Sequence, residues 1–157
     1  MNSNTTANPL AYLLTMLAAL LFSANTASAH CQIPCGIYDD DLMVKQMLLD
    51  ATTIKKCMTE IDALAGKTDP QSGNQFVRWV NNKEDHADNV IEIISNYFLT
   101  QRVKSSQDDY KERLAKHHAV MVAAMKAKQN SDAASAEALN KAILALRAYY
   151  PEHGHHH

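Results

Sequence analysis

Asp41-Leu42-Met43-Val44-Lys45-Gln46-Met47-Leu48-Leu49-Asp50-Ala51-Thr52-Thr53-Ile54-Lys55-Lys56-Cys57-Met58-Thr59-Glu60-Ile61 is the stretch on which the fold turns. Its apolar residues Val44, Met47, Ala51, Ile54, Met58 and Ile61 are spaced alternately three and four apart. A coil of 3.6 residues per turn lines such positions up on one seam, so the spacing predicts a helix from about Asp41 to Ala65. Asp39, Asp40 and Asp41 place negative charge where the exposed amides of a helix start favour it, and Gly66 follows the predicted end.

The same reading extends along the chain. Asp69-Pro70-Gln71-Ser72-Gly73 is a turn cluster. A second helix is expected from about Asn74 to Leu99, with Phe76, Val80, Ala87, Val90, Ile94 and Tyr97 facing inward. Ser106-x-x-Asp109 reads as a capping box opening a third helix. Its expected stripe is Tyr110, Leu114, His117 or His118, Met121 and Met125, fading near Gln129. Asn130-Ser131-Asp132 caps a fourth helix carrying Leu139, Ala142, Ile143, Leu146 and Tyr149, which Pro151 stops. No strand alternation appears. Short connections between long helices make antiparallel neighbours. The fold class is therefore all-α, an up-down-up-down four-helix bundle over residues 41–150.

Composition agrees. Four Gly and four Pro in 157 residues suit helices, and three Cys are too few for a disulfide scaffold. A net charge of −2 argues against a nucleic-acid partner.

Met1–Ala29 is different from the rest. It holds no Asp, Glu, Lys or Arg. Leu10–Phe22 is apolar except for Thr15, and the segment ends in Ala27-Ser28-Ala29. That is the h-region and A-x-A site of a removed leader. The apolar run is shorter than the about 20 residues a spanning helix needs, so no stable membrane association is expected after cleavage. Export to the periplasm or outside the cell follows from such a leader. Cleavage after Ala29 makes His30 the first residue.

His30-Cys31-Gln32-Ile33-Pro34-Cys35-Gly36-Ile37-Tyr38 lies between leader and bundle. Pro34 biases Ile33 toward an extended shape, and Gly36 permits a reversal, so residues 30–40 can form a hook that gathers both sulfurs. On spacing alone the cysteines also suit a disulfide or two idle thiols. Cleavage alters that balance. A terminal His30 carries a free amine with a pKa of about 7.7–8. This amine, the deprotonated Cys31 amide nitrogen and two thiolates make a planar two-nitrogen, two-sulfur set, with five-membered chelate rings. A square geometry fits Ni(II) or Cu(II), whereas zinc prefers a tetrahedron. Thiolate and anionic amide donors bring a Ni(III)/Ni(II) couple within reach of mild reagents. The His30 imidazole can bind axially in the oxidised state.

With these residues in view, the chain resembles nickel superoxide dismutases, whose mature N-terminus reads H-C-x-x-P-C-G-x-Y. The likeness continues through Thr53–Met58, Gln75–Glu84 and Tyr97–Arg102 and covers nearly all of the chain after Ala29. The resemblance implies a right-handed four-helix bundle assembled as a homohexamer. It implies one nickel ion per subunit, held by His30, Cys31 and Cys35. It implies conversion of superoxide to O2 and H2O2 by metal cycling, with Tyr38 lining the anion's approach, and a leader-processing protease as a partner. It also permits cytoplasmic removal of the leader by a dedicated protease. Where some members hold the axial imidazole with a carboxylate and an arginine, this chain has Gln46 and His86, which are expected to orient His30 by hydrogen bonds. The alternative is a secreted nickel- or copper-binding or thiol-redox module without turnover.

The remaining candidates have plainer readings. Cys57 is expected to be an inert, partly buried thiol. Adjacent His117 and His118 cannot share one helix face. The methionines fill core space, Glu84 and Asp85 form a solvated face, and the His-rich tail of residues 151–157 stands outside the fold. Lys45, Arg78 and Lys83 are the cations expected to steer an anion locally.

Overall fold

The computed structural model describes residues 38–152. Helix α1 spans Asp40–Leu64, α2 Pro70–Glu92, α3 Tyr110–Gln129 and α4 Ala133–Leu144. A π-helical segment, Ile93–Arg102, continues α2, and a 3₁₀ turn, Ala145–Ala148, continues α4. Among the described residues there is no strand, and no helix is long and apolar enough to cross a membrane.

All six seam residues of α1 are buried. Removing a side chain of this size from water stabilises the fold by about 1.5–3 kcal/mol. The Asp39 carboxylate accepts the Leu42 amide at 2.9 Å and caps the start of α1. Gly66 leaves the helix with a φ of 77°, a left-handed conformation that suits glycine.

Cross-helix contacts fix the direction of each helix. Asp40 meets Arg102, Asp50 meets His86 and Cys57 meets Asn82, so α2 and its π extension run antiparallel to α1. Lys83 reaches Ala127 while Phe98 lies against His117, which sets α3 antiparallel to α2. Lys55 pairs with Glu137 and Asp41 with Arg147, which sets α4 antiparallel to α1. This is the expected up-down-up-down bundle.

The boundaries differ from the sequence reading in instructive ways. The turn cluster at 69–73 is the first turn of α2. Asp69 accepts the Ser72 amide at 2.9 Å, and Pro70 occupies the first helical position, where its missing N–H costs nothing. Phe76, expected inward, is exposed, because α2 makes its deepest contacts later, at Lys83, Ala87 and Val90. Helix α3 starts at Tyr110, so Ser106 is not its cap, and the Asp109 carboxylate instead pairs with Arg113 at 2.7 Å.

The buried face of α3 is also turned from expectation. It carries His117, Val120, Ala123, Ala124 and Ala127, while Leu114 and Met125 are exposed. Small alanines let α3 approach its neighbours closely, and His117 has two partners inside. Its Nδ1–H donates to the Arg113 carbonyl at 2.7 Å, and its Nε2 accepts the Tyr150 hydroxyl at 3.1 Å. Burial pushes the Tyr150 hydroxyl up to about 12, so it remains the donor.

Burial holds the His117 pKa below its ordinary 6.5. The unfolded chain therefore binds the proton first, and stability falls as pH drops below about 6.5 toward the depressed folded value. This group contributes a slope of at most about 1.4 kcal/mol per pH unit. His117→Gln is expected to flatten urea-derived stability across that window, and an unchanged slope would refute the assignment.

Candidate functional site

Two polar clusters lie between α1 and α2, and the sequence-predicted residues divide between them. The first surrounds Tyr38, the last residue of the hook motif. Its ring stands edge-on to Tyr97, with centroids 6.0 Å apart and planes at 81°. The Arg102 guanidinium lies over the same ring, 4.5 Å from its centroid. Arg102 also grips Asp40 with two nitrogens, Nε to Oδ1 at 2.8 Å and Nη2 to Oδ2 at 2.6 Å. The Tyr97 hydroxyl donates to Asp40 Oδ1 at 2.8 Å. Burial first, then that bond and the nearby negative charge, raise the Tyr97 pKa, and the Asp40 hydrogen bond raises that of Arg102. Tyr38 itself remains 41% exposed, so one side of a firmly held ring faces solvent.

The second cluster is centred on Asp50, whose side chain is 1% exposed. His86 Nδ1 lies 2.7 Å from its Oδ1, Asn89 Nδ2 donates to Oδ2 at 2.6 Å, and Gln46 Nε2 reaches Oδ1 at a long 3.4 Å. A carboxylate only accepts hydrogen bonds, so Nδ1 of His86 carries a proton and Nε2 points away from Asp50. Gln46 and Asp50 are one turn apart on α1, and His86 and Asn89 one turn apart on α2. The structure thus brings Gln46 and His86 together, as two arms of one carboxylate.

Sequence reasoning missed Asp50 as the hub, together with Asn89, Asp40 and Arg102. Asp50 had a legible signal, since a carboxylate one residue before Ala51 borders the apolar seam and must find partners.

The other candidates are committed elsewhere. Cys57 is fully buried, its sulfur accepts from Asn82 Nδ2 at 3.6 Å, and burial raises its pKa, which fits an inert thiol. His118 is exposed while His117 is buried. Lys83 is not a steering cation. It is 4% exposed and spends its charge on the carbonyls that end α3 and on Glu84. Glu84 is accordingly half-buried rather than fully solvated, while Asp85 is exposed. Lys45 bonds to Asp41 at 2.9 Å and Glu152 at 3.4 Å, which offsets its charge.

Among the described residues no group of three or more His, Cys, Asp or Glu is arranged to hold a metal ion. His30, Cys31 and Cys35 lie outside the described residues. A histidine and two cysteines are residue types that can supply nitrogen and sulfur donors to a redox-active metal.

A family model described as nickel-containing superoxide dismutase matches residues 25–154. No curated protein and no solved structure matches the chain.

Proposed function

The chain belongs to the nickel-containing superoxide dismutase family, oxidoreductases that act on superoxide, and from that premise we propose how its own residues serve the reaction. The processed chain, starting at His30, would hold nickel through its terminal amine and imidazole, the Cys31 amide nitrogen and thiolate, and the Cys35 thiolate. When bound there, nickel supplies Ni(III)/Ni(II) redox chemistry, by which one superoxide is oxidised to O2 and another reduced to H2O2. The observation that carries this reading is the span of the family match, which takes in the His30–Tyr38 motif as well as the bundle.

Tyr38 holds the approach of the anion. Its ring is fixed on one side by Arg102 and Tyr97 and exposed on the other, which supports that role. The proposed orienting role of His86 and Gln46 toward the His30 imidazole is supported by Asp50, which gathers both side chains on one carboxylate. Orienting partners of metal ligands are worth about 10- to 100-fold in affinity or activity. His86→Ala is therefore expected to lower turnover by that much. Unchanged nickel content and unchanged turnover in this variant would remove the role.

The reading is tested on chain matured in its own host. N-terminal sequencing should begin at His30, metal analysis should give one nickel per chain, and superoxide decay followed after pulse radiolysis should accelerate with added protein. Bound copper, or a Cys31–Cys35 disulfide without turnover, overturns it. We further propose homohexamer assembly, leader removal by a processing protease, and export to the periplasm or beyond, the last resting on the leader's sequence.

A further inference from the structure

The π-helical segment Ile93–Arg102 performs a task that an α-helix would not. In an α-helix, residues five apart are turned about 140° from each other. A π-helix bonds each amide to the carbonyl five residues back, so positions five apart fall on the same side of the coil. The Val103 amide bonds to the Phe98 carbonyl at 2.8 Å, and the side chains of Thr100 and Gln101 donate to the carbonyls of Ser95 and Asn96. Tyr97 and Arg102 are five apart, and both reach Asp40 Oδ1. The widened coil is what lets one carboxylate at the start of α1 receive both.

Asp40 is thereby filled, accepting three hydrogen bonds of 2.6–2.8 Å. The guanidinium holds the carboxylate with Nε and Nη2 while its Cζ lies over the Tyr38 ring, 4.5 Å from the centroid. Its charge is offset by Asp40, so it is a poor attractor of anions. It is well built to hold a ring.

We propose that Arg102 is a positioning residue for the dismutase reaction, brought to Asp40 by the π segment and acting through the Tyr38 ring. This rests on the reading of Tyr38 above. Cation–π contacts of this kind vary from weak to worth more than a factor of ten. The loss expected in Arg102→Gln is therefore about threefold to tenfold in kcat/KM.

The test joins two measurements. The first is a double-mutant cycle on nickel-loaded, processed protein, pairing Arg102→Gln with Tyr38→Ala. Arg102→Gln is expected to slow the enzyme when Tyr38 is present and to add nothing when it is absent. Equal loss in both backgrounds would mean that the arginine acts by its own charge, and would overturn the proposal. The second needs no nickel. In metal-free protein labelled at tyrosine Cζ with ¹³C, the Tyr38 resonance, identified by its disappearance in Tyr38→Phe, should shift in Arg102→Gln.

Arg102→Lys keeps the charge but not the flat fork. It should move the resonance the same way and leave the salt dependence of the rate as in wild type. Should Arg102→Gln not fold, Arg102→Lys decides alone, and a Tyr38 signal and rate identical to wild type would overturn the clamp. Wild-type protein that binds nickel yet does not dismutate would defeat the functional reading instead, and the nickel-free spectrum would still judge the clamp.

Discussion

Adding a single alanine before His30 is expected to abolish nickel binding and dismutase activity while leaving the bundle folded. The alanine converts the His30 amine into an amide. An amide nitrogen shares its lone pair with the carbonyl, and that resonance removes the basic donor. It also shifts the chelate ring by one residue, so imidazole, amide and thiolate can no longer close the same set. Losing an orienting partner of a ligand already costs about 10- to 100-fold, so losing a ligand should cost at least about 100-fold. The measurement compares nickel content, superoxide decay and far-ultraviolet circular dichroism for chains starting at His30 and at the added alanine. Equal activity in both would end the hook mechanism, whatever the fold. The extended chain should still fold, since Val44, Met47, Ile54, Phe98 and Leu139 are among the residues of a buried core.

The second large effect concerns stability. Lys83→Met should lower the unfolding free energy by about 3–5 kcal/mol, the usual range for removing one member of a buried charged network. Lys83 donates to the carbonyls of Ala127 at 2.9 Å, Asn130 at 3.2 Å and also Lys128, and it pairs with Glu84 at 3.0 Å. The last carbonyls of a helix have no partner within it. Here a lysine from α2 supplies them, and methionine would fill the space but strand the oxygens at about 1–3 kcal/mol for each buried one. Thermal unfolding should fall by on the order of 10 °C. The exposed pair of Lys55 and Glu137 gives the contrast, since its removal should cost less than about 1 kcal/mol. A Lys83→Met shift no larger than that would show that solvent already satisfies these carbonyls.

These two predictions draw on opposite parts of the chain, and they mark how far the sequence could be read. The α1 seam was legible because long apolar side chains at alternating spacings have one arrangement that buries them all, and Val44 to Ile61 are buried as expected. The face of α3 was not. Hydrophobicity favoured Leu114 and Met125 over Ala124 and Ala127, yet close packing chose the small residues and a histidine with two hydrogen-bond partners. Periodicity also could not announce the π segment, because its side chains are ordinary and the departure lies in the hydrogen bonds. At His30, Cys31 and Cys35 chemistry left nickel, copper and a disulfide open, and it was the resemblance to the family that pointed to nickel. The cluster on Asp50 was half legible. Gln46 and His86 were expected to act together, but the carboxylate between them emerges only once two helices are laid side by side.

The coil of Ile93–Arg102 bears on how this chain can drift over time. Side chains along it can be exchanged one at a time with local consequences. Its length is another matter. Deleting one residue just before Tyr97 would let the segment relax into ordinary helical winding with Tyr97 and Arg102 still five apart, turned about 140° from each other, so that one carboxylate no longer receives both. Every chemical group of the clamp would still be encoded, yet the clamp would be gone. The connection between Arg102 and Tyr110 is not helical, so gaps and insertions are expected there before they are expected in the ten residues of the coil.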